Sequence, residues 1–270
     1  MLHRRVRMAR VSRSIAMCAV LAFVVARGGV AAQQPPAPAA AASQPSSAKA
    51  RAPVDLTGYW VSLITEDWRF RMVTPPKGDV ASLPVNAEGR KVADAWDSAK
   101  DGACDAYGAA AIMRMPGRLH MTWQDDNTLK VETDAGQQTR LLRFGPSASP
   151  PGERSWQGQS VAEWVSGGGG GRAGFGAFGG FGGAPGAPRW APLRVVTTNL
   201  RAGWLRKNGV PYSENAVVTE YFLKLVDEGD QWLTVTTTVE DPKYLTGSLI
   251  TSSNFKREPD GAKWKPTPCK

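Results

Sequence analysis

The chain has 270 residues, 42% of them hydrophobic and 21% charged, a balance that excludes wholesale disorder and a multi-pass membrane protein. The formal net charge of +9 suggests a polyanionic partner at first sight, but residues 1–53 hold eight Lys or Arg and no acid. From Val54 onward 25 basic residues face 24 acidic ones. So nearly neutral a region lacks the phosphate-neutralising surface of a nucleic-acid binder, and no nucleic-acid partner is expected.

The N-terminus carries Arg4, Arg5, Arg7, Arg10 and Arg13, then the apolar run from Ile15 to Ala26, then Gly28-Gly29-Val30-Ala31-Ala32. A basic stretch, an apolar core and small residues at −3 and −1 make a secretory signal, with cleavage expected after Ala32. An uncleaved anchor needs roughly 20 apolar residues, and Arg27 interrupts the run first. The expected location is therefore the periplasm or the outside, with no integral membrane segment once residues 1–32 are removed. Residues 33–53 are almost all Ala, Pro, Gln and Ser, a composition that predicts a disordered tether.

Removal of the signal takes His3 and Cys18 with it. Cys104 and Cys269 remain as the natural disulfide pair of an exported chain, and His120 remains as the lone histidine. With no short-spaced His or Cys set, no metal site is predicted, and no motif calls for a cofactor. A nucleophilic triad would have to run through His120 alone.

From Asp55 onward the period-2 pattern prevails. Strands are expected over 58–64 and 68–73, the latter alternating Trp68, Phe70 and Met72 with Arg69 and Arg71. A single helix follows over 87–99, capped by Asn86. Arg118–Gln124, Thr128–Thr133 and Gln138–Phe144 form a meander around polar turns. Ser160–Val165, Leu193–Asn199, Ala216–Val226, Gln231–Glu240 and Leu249–Lys256 complete the set. The predicted fold is mainly β: an antiparallel barrel or sandwich of about nine strands, one helix towards its N-terminal side, over a single domain 54–270. Its ten Trp are the expected core material.

Residues 167–189 interrupt the pattern with glycine runs that carry Phe175, Phe178 and Phe181. No strand–turn–helix unit surrounds them, so a phosphate loop is excluded and a flexible hairpin insertion is expected.

Gly58-Tyr59-Trp60 in a first strand resembles the G-x-W signature of lipocalins, which implies a barrel that holds a small molecule. Four segments, Asp55-Leu56-Thr57-Gly58-Tyr59-Trp60, Trp156–Trp164, Pro211-Tyr212-Ser213-Glu214-Asn215 and Glu240-Asp241-Pro242, together resemble a group of exported bacterial β-rich proteins of uncharacterised function. That resemblance implies secretion and a β-rich fold, and carries no catalytic residues.

The leading functional expectation is a non-enzymatic exported barrel that binds a small apolar or aromatic ligand. Its mouth would draw on Trp60, Trp68, His120, Trp123, Trp164, Tyr221 and Trp232, with Arg69 or Arg140 orienting a polar group. Two alternatives stand beside it. One is a secreted hydrolase or isomerase using His120 or a pair among Glu66, Asp67, Asp125, Asp126, Glu214, Glu240 and Asp241. The other is an envelope-associated protein whose contact element is the Gly/Phe-rich insertion.

Overall fold

The structure, a computed structural model, describes residues 47–145, 152–165 and 191–269. All of these fall in one of the chain's two compact units, Ser43–Lys270. The predicted signal, most of the predicted tether and the Gly/Phe-rich insertion lie outside the described residues.

Strands whose side chains alternate between buried and half-exposed must curl until their apolar faces meet, and here they close completely. Nine strands make the barrel: β1 (Gly58–Leu63), β2 (Arg118–Asp125), β3 (Thr128–Thr133), β5 (Thr139–Phe144), β6 (Gln159–Trp164), β7 (Leu193–Thr198), β10 (Val217–Asp227), β11 (Asp230–Glu240) and β12 (Leu249–Glu258). Their order around the barrel is β1-β12-β11-β10-β7-β6-β5-β3-β2, closed by β2 on β1. Every neighbouring pair is antiparallel except β5 and β6, which run parallel with Leu142 opposite Ser160. An odd number of strands cannot alternate direction all the way round, so one parallel seam is obligatory. Parallel neighbours cannot share a tight hairpin, which is why the long connection 145–158 sits here. The sequence pattern did not disclose this seam.

Two short pairs lie outside the barrel. β8 (Gly203–Arg206) and β9 (Val210–Tyr212) form a hairpin, and β4 (Ala135–Gly136) pairs in parallel with β13 (Thr267–Pro268).

The interior is filled by side chains. Trp60, Met121, Leu129, Val131, Leu142, Leu193, Val195, Phe222, Leu233, Val235 and Phe255 are buried in one cluster. Among them lies one fully buried ion pair. Arg140 Nη1 and Nη2 donate to Glu220 at 3.0 and 2.5 Å, and Nη2 also reaches Thr197 Oγ1 at 3.3 Å. Thr197 in turn shares a 2.8 Å bond with Ser160. One end is closed by aromatic rings, with Phe144 lying 5.5 Å from Trp123 and 5.8 Å from Trp164.

Several expectations are corrected. Residues 68–73 are not a strand: Trp68–Met72 is a short helix, α1, with Trp68 64% and Met72 58% exposed and Arg71 buried. Five alternating residues are too few to separate a period of 2 from 3.6, and Trp68 and Met72 share the outer face at i,i+4 spacing. The Asn86-capped helix forms as α2 (Ala87–Ala95), with Asn86 Oδ1 accepting from Gly89 N at 2.9 Å. It stops before 99 because Trp96 turns extended and its indole donates to Asp101 at 2.7 Å. The end of the predicted tether is ordered: Ala48 is buried, and Ala48 and Lys49 donate to Asn127 and Asp126 in the β2–β3 turn. Among the described tryptophans only Trp60 is fully buried; the others are half-buried or, like Trp68, exposed.

The expected pairing of Cys104 with Cys269 is present, with the Cα atoms 5.2 Å apart and the two residues 165 positions apart in sequence. Closing so long a loop is worth about 4–5 kcal/mol when only unfolded-chain entropy is counted. Urea unfolding of the paired variant Cys104→Ser/Cys269→Ser is expected to show a loss of that order; a loss below about 1 kcal/mol would contradict the chain-entropy account.

The Arg140–Glu220 pair gives a second expectation. Glu220→Ala leaves a buried guanidinium without its carboxylate and is expected to cost about 3–5 kcal/mol in denaturant unfolding. Arg140→Leu with Glu220→Leu removes both charges and is expected to recover most of that loss. A double variant as unstable as the single one would mean that the pair itself holds the barrel together.

Candidate functional site

The nine residues that the sequence brings forward do not form one site. Trp60 is a core residue whose indole donates to Leu56 O at 3.0 Å. Arg140 is neutralised inside the barrel by Glu220. Trp123 and Trp164 do meet, through Phe144, at the closed end. Tyr221 and Trp232 alternate with the buried positions of β10 and β11 and lie on the outer wall, where Lys256 Nζ sits 5.1 Å from the Trp232 ring. His120 is also on the outer wall, stacked on Tyr59 at 4.1 Å with Nδ1 3.2 Å from Glu132. Trp68 and Arg69 stand out on α1, with Arg69 3.8 Å from Asp79. A ligand chamber assembled from these nine is therefore not present.

A different group does converge. A cleft of about 280 Å³ opens among the segments at the end of the barrel where β1 stops and β2 begins, with Arg71, Arg114, Arg206 and Lys207 in its walls. Phe70, Met72, Met115, Pro116 and Leu205 supply apolar surface, and Tyr107, Ala135 and Thr267 complete one side. Four separate segments meet there. Arg71 comes from α1, which begins at Asp67 in the left-handed conformation (φ 50°). Arg114 ends the 3₁₀ turn Ile112–Arg114. Arg206 and Lys207 sit where β8 enters its turn. Thr267 comes from β13, beside the disulfide.

Each segment is held in place by identifiable bonds. Asn208, buried in the β8–β9 turn, donates to Pro76 O and Asp79 O, both at 2.9 Å. Its neighbour Gly209 has φ 77° and lies against the Trp96 ring, so only glycine fits there. Tyr107 O accepts from Gln157 Nε2 at 2.7 Å, and Ala109 N donates to Trp156 O at 2.9 Å. The disulfide and the β4–β13 pairing fix the remaining wall.

The charges in the cleft are unevenly matched. Arg71 Nε donates to Arg114 O at 2.9 Å, and Nη1 binds Glu66. Arg114 Nη2 binds Asp67 at 2.8 Å. Arg206 lies with its guanidinium carbon 4.1 Å from the centre of the Phe70 ring. Lys207 Nζ binds the Tyr107 hydroxyl at 2.9 Å. Among the described residues neither Arg206 nor Lys207 forms an ion pair. Arg71 Nη2, Arg114 Nη1 and Arg206 Nη1 are buried without any hydrogen-bond partner in the structure. Burial, countered by Glu66 and reinforced by the nearby Arg114 charge, lowers the Arg71 pKa from its ordinary value. Burial and Arg114 lower that of Arg206 as well, against Asp67 and Asp79. Guanidinium groups stay charged through such shifts, so three cations are packed together with hydrogen-bonding capacity unused.

A second, smaller cavity of about 50 Å³ shares Arg114, Leu205 and Arg206 with the first, and Asp67 and Thr251 also line it. Among the described residues no group of three or more His, Cys, Asp or Glu is arranged to hold a metal ion. The carboxylates near strand ends serve as local fasteners. Asp241 accepts from Ser213 N and Oγ at 2.6 and 2.8 Å and from Lys243 N at 2.9 Å, which joins two segments of the sequence resemblance.

Comparison of the chain with family models, curated proteins and solved structures returned no match.

Sequence reasoning missed the cleft. Arg69 and Arg71 read together as the solvated side of a strand, although only Arg69 is exposed. Arg114 and Arg206-Lys207 carry no motif, and nothing in their spacing links positions 71, 114 and 206. The one available signal is Asn208-Gly209, a tight-turn dipeptide that fixes the two cations just before it. Asn208→Ala removes both anchoring bonds, and is expected to cost about 1–3 kcal/mol in thermal or urea unfolding; unchanged stability would show that the turn holds its shape without them.

Proposed function

We propose that this protein is exported and binds a small organic anion with an apolar part, in the arginine-lined cleft at one end of the barrel rather than inside it. The observation that carries the reading is the convergence of Arg71, Arg114 and Arg206, each with one buried nitrogen lacking a partner. A buried donor without an acceptor costs about 1–3 kcal/mol, and three in one cleft make a concentrated cost that an oxyanion removes. Charge-assisted bonds from guanidinium to oxyanion are among the stronger polar contacts available to a protein. Phe70, Met115, Pro116 and Leu205 give an attached apolar group somewhere to lie. In this reading arginines again orient a ligand with an apolar part, but they are Arg71, Arg114 and Arg206 rather than Arg69 or Arg140, and the cleft replaces the group of tryptophans. Export is supported by the N-terminal pattern and by the Cys104–Cys269 bond.

The test is titration calorimetry with benzoate, phenyl phosphate and phenyl sulfate, using benzyl alcohol and benzylamine as uncharged and cationic controls. Anions are expected to bind and the controls not to. Arg206→Gln is expected to weaken anion binding at least about tenfold, one charge-assisted bond being worth roughly 1.5–3 kcal/mol. Trp123→Leu, at the closed end of the barrel, is expected to leave it unchanged. Equal binding of benzyl alcohol, or an Arg206→Gln variant with wild-type affinity, would overturn the reading.

A further inference from the structure

The charge count in the cleft narrows the ligand class, an inference that rests on the anion-binding reading above. Four cations line the walls: Arg71, Arg114, Arg206 and Lys207. Two are already matched, Arg71 by Glu66 and Arg114 by Asp67. Asp79, the other acid near Arg206, is also within 3.8 Å of Arg69 on the outer side of α1. Arg206 has an aromatic face instead of a carboxylate, and Lys207 has a neutral hydroxyl. The cleft therefore holds two positive charges in excess. They lie on adjacent residues, and two further guanidinium groups line the same cleft from α1 and from the 3₁₀ turn.

A carboxylate or a sulfate ester brings one negative charge and leaves one cation uncompensated in a partly desolvated site. A phosphomonoester carries −1.5 to −2 near pH 7 and offers three acceptor oxygens. It matches the excess charge, and its oxygens can accept from the guanidinium groups of Arg71, Arg114 and Arg206, each of which has hydrogen-bonding capacity to spare. We infer that the cleft is a phosphomonoester site, selective for the dianion of a small apolar or aromatic phosphate. The volume of about 280 Å³ lies just below the usual 300–1,000 Å³ of small-molecule pockets, which favours a soluble ester over the headgroup of a two-tailed lipid.

The experiment compares phenyl phosphate, phenyl sulfate and benzoate by calorimetry on the wild-type protein and on Lys207→Gln. Circular dichroism and the unfolding midpoint serve as the check on folding. Phenyl phosphate is expected to bind at least about tenfold more tightly than the two monoanions at pH 7.5. Lys207→Gln is expected to reduce that preference severalfold while benzoate affinity changes little. Between pH 5 and 7.5 the affinity ratio of phosphate to sulfate ester is expected to rise about tenfold, following the ligand's second ionisation near pH 6. The sulfate ester, whose charge is fixed, reports any change that comes from the protein, whether from Glu66, Asp67, Tyr107 or the cations. The pH comparison needs no variant, so it decides the matter even if Lys207→Gln fails to fold.

Vesicles containing phosphatidic acid form a further arm. Tighter binding to them than to phenyl phosphate would support the phosphomonoester chemistry and assign a lipid source; weaker binding would support the soluble source. Equal affinity for phosphate, sulfate and carboxylate would overturn the inference and leave the anion site standing. Absence of binding by all three would overturn the anion-binding reading itself.

Discussion

A barrel of nine strands cannot close on antiparallel pairs alone, and much of this molecule follows from that parity. The parallel contact falls between β5 and β6, so the chain must pass from the end of the barrel that Phe144 reaches to the opposite end, where β6 starts. The returning stretch passes Trp156 and Gln157, whose polar groups bind Ala109 N, Tyr107 O and Gln138 Oε1. Those bonds pin the irregular segment 104–111, and that segment carries one side of the cleft. The same seam that permits closure thus also positions a wall of the candidate site. The β8–β9 hairpin meets it from the other direction, with Trp204 N donating to Asp105 O at 2.8 Å.

The protein buries arginine in two different ways, and the contrast separates framework from site. Arg140 gives two nitrogens to Glu220 and one also to Thr197, all within the barrel. The attraction in a low-dielectric interior offsets desolvation only with close pairing of this kind, and even here Nε is left without a partner. Arg206 is nearly as buried, but in place of a carboxylate it has a Phe70 face and a neighbouring like charge on Arg114. Nothing in barrel closure requires that arrangement. Arg140 has a carboxylate partner within the barrel, whereas among the described residues Arg206 has none, and that difference is the physical ground for placing function at the cleft.

The same contrast explains which parts of the structure could be read from the sequence. Barrel strands are half-buried ribbons, so their side chains must alternate; Thr128–Thr133 and Leu193–Thr198 carry that alternation plainly and appear almost as expected. The Asn86 cap and the Asp125–Asn127 turn are local too, because a side chain bonds to backbone two or three residues away. The cleft has no such local signature. Arg71, Arg114 and Arg206 meet only because α1, a 3₁₀ turn and a hairpin fold against one another, and each of those elements is too short to show a period. Alternation misled at 68–73 because Arg69 and Arg71 look identical in sequence while one faces water and the other faces Glu66. Tryptophan misled for a related reason: its size suggests the core, but its one polar atom and flat face suit rims and outer walls as well, where Trp232 and Trp264 lie.

The place of the disulfide ties stability to the candidate site. Cys269 follows directly on β13, whose Thr267 lines the cleft, and Cys104 opens the segment that delivers Tyr107. Gln138 stands between them, donating to Gly136 O at 2.6 Å and to Cys269 Sγ at 3.3 Å. A two-residue parallel pair such as β4–β13 is too short to persist by its own hydrogen bonds; the covalent link is what keeps it in register. The C-terminal strand adds nothing to barrel closure, since all nine barrel strands are in place by Glu258. It acts locally, holding Thr267 beside Ala135 in the wall of the cleft. A site built from short add-on elements needs such a fastening, because its elements lack the cooperative support that neighbouring strands give one another inside the barrel.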